Sequence, residues 1–268
     1  MNRYFNRSSI PIGVTKDPAA SATTGTLGWP EYVLAHFPHP RFGNNSEAED
    51  AVRLYRRLLA TAAADQSITL LSIGYLTNLA NLLATTADSY STATGAELVR
   101  QKVAHLYIMA GAFPSGEELN IKDQPAAAAA ALPHWPTPAT FIGFEAGDHI
   151  ACGGNLLNHT TNSSILAGSP ISKAFEFAYK AFGKIDGCYD ETATLVAIRR
   201  AVTGHAEAQK LFFDTVPGRI VVYGNGTNGW LKSRSAGNHG GTQQAYVRQK
   251  ASVTFETIVG EINPLLVR

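Results

Sequence analysis

The chain has 268 residues, a net charge of +1 and 16% charged residues, with no run of Lys or Arg. That balance excludes the electrostatic footprint of a nucleic-acid or membrane-surface binder and points to a small neutral or polar ligand. The length suits a single large α/β domain or two small ones, and a single domain over residues 1–268 is expected.

In chain order, short apolar runs rich in β-branched and aromatic residues read as buried parallel strands: "IPIGV" (10–14), "ITLLSIG" (68–74), "HLYIMAG" (105–111), "ATFIGFE" (139–145) and "RIVVYG" (219–224). Between and after them, helical spacing marks 47–64, 76–85, 124–132, 171–184, 190–204 and 243–265. In the first of these helices Ala51, Leu54, Leu58 and Leu59 form one stripe, with Ser46 and Asp50 near its start, and Pro125 suits the first turn of the third. The segment 16–46, dense in Pro, Gly, Ser and Asn, reads as a long functional loop. The alternation predicts an α/β fold with a mostly parallel sheet flanked by helices. In such sheets ligands bind beyond the carboxyl ends of strands, which ranks "SIGYLTNLA", "IMAGAFPSGEELNIKD" and "FIGFEAGDH" as candidate site segments.

Cys152 and Cys188 fit no CxxC or zinc spacing, and both are expected to be free thiols. No apolar stretch approaches a membrane span, and the first thirty residues lack the apolar core of a secretory signal, so the chain as written is expected to be soluble, cytoplasmic and without a membrane partner. Five Asn-x-Ser/Thr triplets, at Asn6, Asn44, Asn158, Asn162 and Asn225, pull the other way, and secretion stays open if a longer N-terminus exists.

The Gly224, Gly226, Gly229 pattern follows a strand but precedes no helix, and so reads as a surface turn rather than a dinucleotide cradle. His36 and His39 sit among prolines that hold the chain extended, which favours a loop over a metal pair. Glu118 and Asn120, two apart, can project to one side and offer an acceptor and an amide to a polyhydroxylated ligand such as a sugar. A solvated loop with a helix cap at Asp123 is the competing reading.

Four segments in order, "SIGYLTNLANLL" (72–83), "LYIMAGAFPSGEELNIKDQPAAAAAAL" (106–132), "TFIGFEAG" (140–147) and "GCYDETATLVAI" (187–198), resemble the inosine-uridine-preferring nucleoside hydrolase family. The opening "NRSSIPIGV" looks like that family's strand carrying "PIG", so the resemblance covers nearly the whole chain. It implies a Rossmann-like core and hydrolysis of the N-glycosidic bond of ribonucleosides to base and ribose, with a bound Ca²⁺ holding the ribose hydroxyls and a water. By the same resemblance Glu118 and Asn120 match ribose-binding residues and Met109 lines the sugar. Asp190 matches a calcium-ligand Asp, and the carbonyl of Ile73 matches a main-chain metal ligand.

The resemblance has gaps. The family's Asp-rich first strand has no counterpart, so the core is expected to lack its first strand, as in an incomplete gene product or a degenerate relative. Ca²⁺ takes about 6 to 8 oxygen ligands, and Asp190 with one carbonyl would hold it weakly or not at all. Met109-Ala110-Gly111 replaces Met-Gly-Gly, and Tyr189 stands before Asp190 where relatives often carry His, leaving a weak acid as the candidate proton donor in catalysis. These departures imply a weak or inactive hydrolase, or a non-catalytic nucleoside-, sugar- or partner-binding pseudoenzyme; an α/β protein unrelated to nucleosides is a third reading. Base preference is not specified, and a homo-oligomer stays open.

Overall fold

The computed structural model describes residues 1–20, 27–38, 45–158, 163–166, 168–203, 211–233 and 243–267. The first half contains β1 (Gly13–Val14), α1 (Trp29–His36), β2 (Glu49–Asp50), α2 (Ala51–Thr61), β3 (Ile68–Ser72), α3 (Thr77–Ala84), α4 (Gly95–Lys102), β4 (Val103–Met109), β5 (Ser115–Glu117), α5 (Leu119–Lys122) and α6 (Pro125–Ala131). The second contains β6 (Ala139–Ile142), α7 (Phe144–Gly147), β7 (Leu157–Asn158), β8 (Ser163–Ser164), α8 (Pro170–Phe182), α9 (Tyr189–Thr203), β9 (Phe213–Val222), β10 (Thr227–Lys232), β11 (Gln244–Gln249) and α10 (Phe255–Leu266).

Seven strands form the main sheet in the order β3-β4-β6-β11-β9-β10-β5. From β3 to β11 neighbours run parallel, and from β11 to β5 they run antiparallel. Strand β4 shows why both faces are covered. Its side chains alternate, so Leu106 and Ile108 enter one core with Leu79 and Leu82 of α3, Leu98 of α4 and Ala128 of α6. Tyr107 and Met109 enter a second core with Ala146 of α7, Val196 of α9 and Ile258 of α10. A strand buried on both faces must be apolar throughout, which is the run seen in the sequence.

Several expectations change. Within "IPIGV" only Gly13–Val14 is a strand, and it pairs with β2 outside the main sheet, packed so closely on α2 that a Cβ on Gly13 would lie 2.8 Å from the Ala51 Cα. The segment read as one long loop contains α1, which has a proline in its first turn; His36 closes that helix with Nδ1 at 2.9 Å from the Tyr32 carbonyl, and His39 lies outside the described residues. Helix α2 starts on Asp50, whose carboxylate accepts from Arg53 N–H at 2.8 Å. Leu58 is exposed, while Arg56 is buried and bonded to Asp88, Thr85 and the carbonyls of Ser91 and Ala93.

The segment 139–145 leaves the sheet at Ile142 and turns into α7. The segment 243–265 is not one helix but β11, which sends Tyr246 into one core and Val247 into the other, followed by α10 capped by Thr254. Strand β9 is antiparallel to both its neighbours, and a hairpin joins it to β10. The glycine pattern lies in that hairpin: Gly226, at φ 85°, donates its N–H to Tyr223, and the surface-turn reading holds. Among the described residues no helix is long and apolar enough to cross a membrane.

The two cysteines, expected to be free, form a disulfide with Cα atoms 5.9 Å apart. Their sequence separation of 36 carries no signal of pairing; the packing of the loop after α7 against the start of α9 brings them together.

Candidate functional site

All three strand ends singled out in the sequence meet at one open cavity of about 550 Å³. Ile73 enters from the end of β3, Met109 from β4, Glu118 and Asn120 from the chain beyond β5, and Phe144 from the turn after β6. The first turn of α9 supplies the opposite wall with Tyr189, Asp190 and Glu191. The structure thus brings together every residue chosen from the sequence: Ile73, Met109, Glu118, Asn120, Tyr189 and Asp190.

Glu118 is positioned by the backbone. It caps the short helix α5, its Oε1 accepting from Asn120 N–H at 2.8 Å and its Oε2 from Gly111 N–H at 2.9 Å. Gly111 holds φ 85°, a conformation that favours glycine. The same loop is clamped twice more. Buried Asn228 on β10 accepts from Ala112 N–H and donates to the Ala112 carbonyl, both at 2.9 Å, and Glu145 on α7 accepts from Phe113 N–H at 3.1 Å. Asn120 Nδ2 donates to the Met109 carbonyl at 3.0 Å and lies 3.4 Å from the Met109 sulfur. Glu118 and Asn120, 6% and 8% exposed, are therefore pre-set rather than waving in solvent. Asp123 does cap a helix, at the C-terminus of α5, where its N–H donates to the Leu119 carbonyl, and its carboxylate accepts from the Tyr75 hydroxyl at 2.8 Å.

Four carboxyl groups line the cavity, Glu117, Glu118, Asp190 and Glu191, with one ammonium, Lys122, which pairs with Glu117. Burial pushes the Glu118 carboxyl above the ordinary range, against the pull of three backbone N–H groups, with the Asp123 charge adding to the rise. Burial raises Glu191 as well. Asp190 is pushed up to about 7, chiefly by burial and then by the negative charges of Glu191 and Glu118. The Tyr189 hydroxyl donates to Asp148 at 3.0 Å, and burial with that bond moves the phenol well above its usual range, so its proton is held away from any ligand. Its ring stacks on Phe144, with centroids 5.2 Å apart.

The Asp190 shift has a checkable consequence. In the unfolded chain the carboxyl titrates near its ordinary value of about 4. The folded chain holds the proton more tightly, so stability is unaffected below about pH 4 and falls as pH rises towards 7, where the buried charge forms. In metal-free buffer, Asp190→Asn is expected to melt higher than the parent at about pH 8 and together with it at about pH 4, as followed by circular dichroism.

A resident Ca²⁺ would take about 6 to 8 oxygens. Among the described residues the one group of three candidate ligands is Cys152, Cys188 and Glu191, and two of these are joined to each other. Among the described residues Asp190 belongs to no group of three such ligands.

Glu191 and Phe144 were missed by sequence reading. Glu191 follows Asp190 directly in an acidic first helical turn, which was the available signal; Phe144 sat in a segment read as strand rather than as a turn onto the cavity.

The fold is similar to that of a plant nucleoside hydrolase, PpNRh1, at TM-score 0.64 and 16% identity, over 99% of this chain and 83% of that one. It is also similar to a purine-preferring ribonucleoside hydrolase from Gardnerella vaginalis, at TM-score 0.54 and 16% identity, over 92% and 77% of the two chains. An inosine-uridine preferring nucleoside hydrolase from Bacillus anthracis gives TM-score 0.51 and 15% identity, over 82% of this chain and 66% of that one. No curated protein matches. The sequence model for inosine-uridine preferring nucleoside hydrolases matches residues 4–255. The chain belongs to the inosine-uridine preferring nucleoside hydrolase family.

Proposed function

We propose that this chain binds ribonucleosides through the ribose, and that as a 268-residue polypeptide it hydrolyses them weakly or not at all. The observation that carries the reading is the pre-set pair of Glu118 and Asn120 at the floor of a cavity walled by Met109, Phe144 and Asp190. Each carboxylate oxygen of Glu118 keeps a further acceptor site beyond its backbone donor, enough for vicinal sugar hydroxyls, and Asn120 Oδ1 adds another acceptor. Met109 gives the apolar face of the ring a surface. Asp190, poised near neutrality, can take a proton from a water on the far side of the cavity, the role of a general base in glycosidic hydrolysis.

The family reaction calls on a Ca²⁺ to orient the water and the hydroxyls, and the donor set described above supports only weak retention of that ion. That observation favours sugar binding without efficient turnover. Calorimetric titration with ribose, in EDTA and then in Ca²⁺, tests the reading. One saturable site in both buffers is expected, and no heat in either would sink it.

A further inference from the structure

The Cys152–Cys188 disulfide touches no part of the proposed sugar floor, yet it sits at the seam of the cavity. Cys188 immediately precedes α9, whose first turn carries Tyr189 and Asp190 into the wall. Cys152 ends the loop that supplies Asp148, the acceptor for the Tyr189 hydroxyl. Both cysteines are buried, at 0% and 2% exposure.

The chain that leads to Cys188 becomes buried only gradually. Phe182, Gly183 and Lys184 are exposed and residues 185–187 are half-buried. Cys188 adds one backbone bond, its N–H donating to the Ile150 carbonyl at 2.9 Å. The turn it introduces presents two adjacent carboxyl groups, Asp190 and Glu191, to a partly dry cavity. Hydration draws such groups outward, against the stacking of Tyr189 on Phe144 and its bond to Asp148. A covalent tether to the layer behind the cavity opposes that swing.

We propose that Cys152 and Cys188 are positioning residues of the cavity. Their disulfide pins the first turn of α9 so that Asp190 and Tyr189 face Glu118 and Asn120 only in the oxidised chain, as suits a protein working in an oxidising compartment. The ligand arm of the test rests on the ribose reading; the structural arm does not. Dithiothreitol gives the disulfide two electrons and two protons, so that the S–S bond breaks, two thiols form and the reagent closes into its own cyclic disulfide.

Hydrogen–deuterium exchange and ribose calorimetry are compared for the oxidised, reduced and reoxidised chain. The double variant Cys152→Ala/Cys188→Ala serves as a second route if the buried bond resists the reagent. In the reduced and double-variant forms, amides of 187–194 are expected to exchange at least about tenfold faster in a window where β4 stays protected. Ribose affinity is expected to fall at least about tenfold, and reoxidation to restore both. Unchanged exchange at 187–194, or exchange rising there only in step with β4, overturns the proposal. If the oxidised chain takes up no ribose, the sugar reading fails by itself and the exchange result alone decides the role of the disulfide.

Discussion

Glu118→Ala is expected to weaken ribose binding about 100-fold or more, the largest effect of any single substitution in the cavity. A hydrogen bond to a charged group contributes about 1.5–3 kcal/mol, and two sugar hydroxyls on one carboxylate place the loss at about 3–6 kcal/mol. The substitution also strips acceptors from the N–H groups of Gly111 and Asn120 and removes the cap of α5, so Asn120 loses the turn that aims it. Glu118→Gln separates these contributions. It keeps one acceptor oxygen and most of the shape, and a loss of about tenfold is expected. Calorimetry on both variants, with circular dichroism to show that the sheet persists, checks the result; equal affinity in parent and alanine variant would remove Glu118 from the site.

Removing the disulfide is expected to lower the stability of the whole chain by about 4 kcal/mol, the chain-entropy value for a loop of this size. The cysteines are 36 residues apart, and the loop between them includes β7, β8 and α8. The loss should appear in urea unfolding of Cys152→Ala/Cys188→Ala as a lower midpoint. A midpoint within error of the parent would mean that the start of α9 is held by packing and by the Cys188 to Ile150 backbone bond alone. This global effect is separable from the local opening described above, because a core such as β4 stays closed long after a loosened helix start has exchanged.

Much of the fold was legible because parallel strands buried on both faces must be apolar throughout, and "HLYIMAG" could be little else. The helices α2, α3, α6, α8 and α9 announced themselves by apolar spacing. What was misread came from tertiary context. "IPIGV" has strand composition, yet its pairing partner is the two-residue β2, which no local pattern reveals. The segment 243–265 mixes a half-buried strand with a helix, and their differing periodicities blur when read as one run. The disulfide was illegible because two lone cysteines far apart in sequence meet only after α7 and α9 pack. Within the cavity, the spacing of Glu118 and Asn120 suggested a polar ligand, and only the family resemblance chose them over a solvated loop. The backbone clamps that aim them, from Gly111 and Asn228, depend on contacts formed 7 and 116 residues away.

On the proposal that the chain binds ribose through Glu118 and Asn120 but holds Ca²⁺ weakly, metal affinity and turnover should both be low. The most direct test is inosine hydrolysis by the purified, untagged chain across a Ca²⁺ titration, with released ribose measured. The account predicts negligible ribose release and no Ca²⁺ binding tighter than about 1 mM. Robust turnover that saturates with Ca²⁺ and disappears in Asp190→Asn would contradict it.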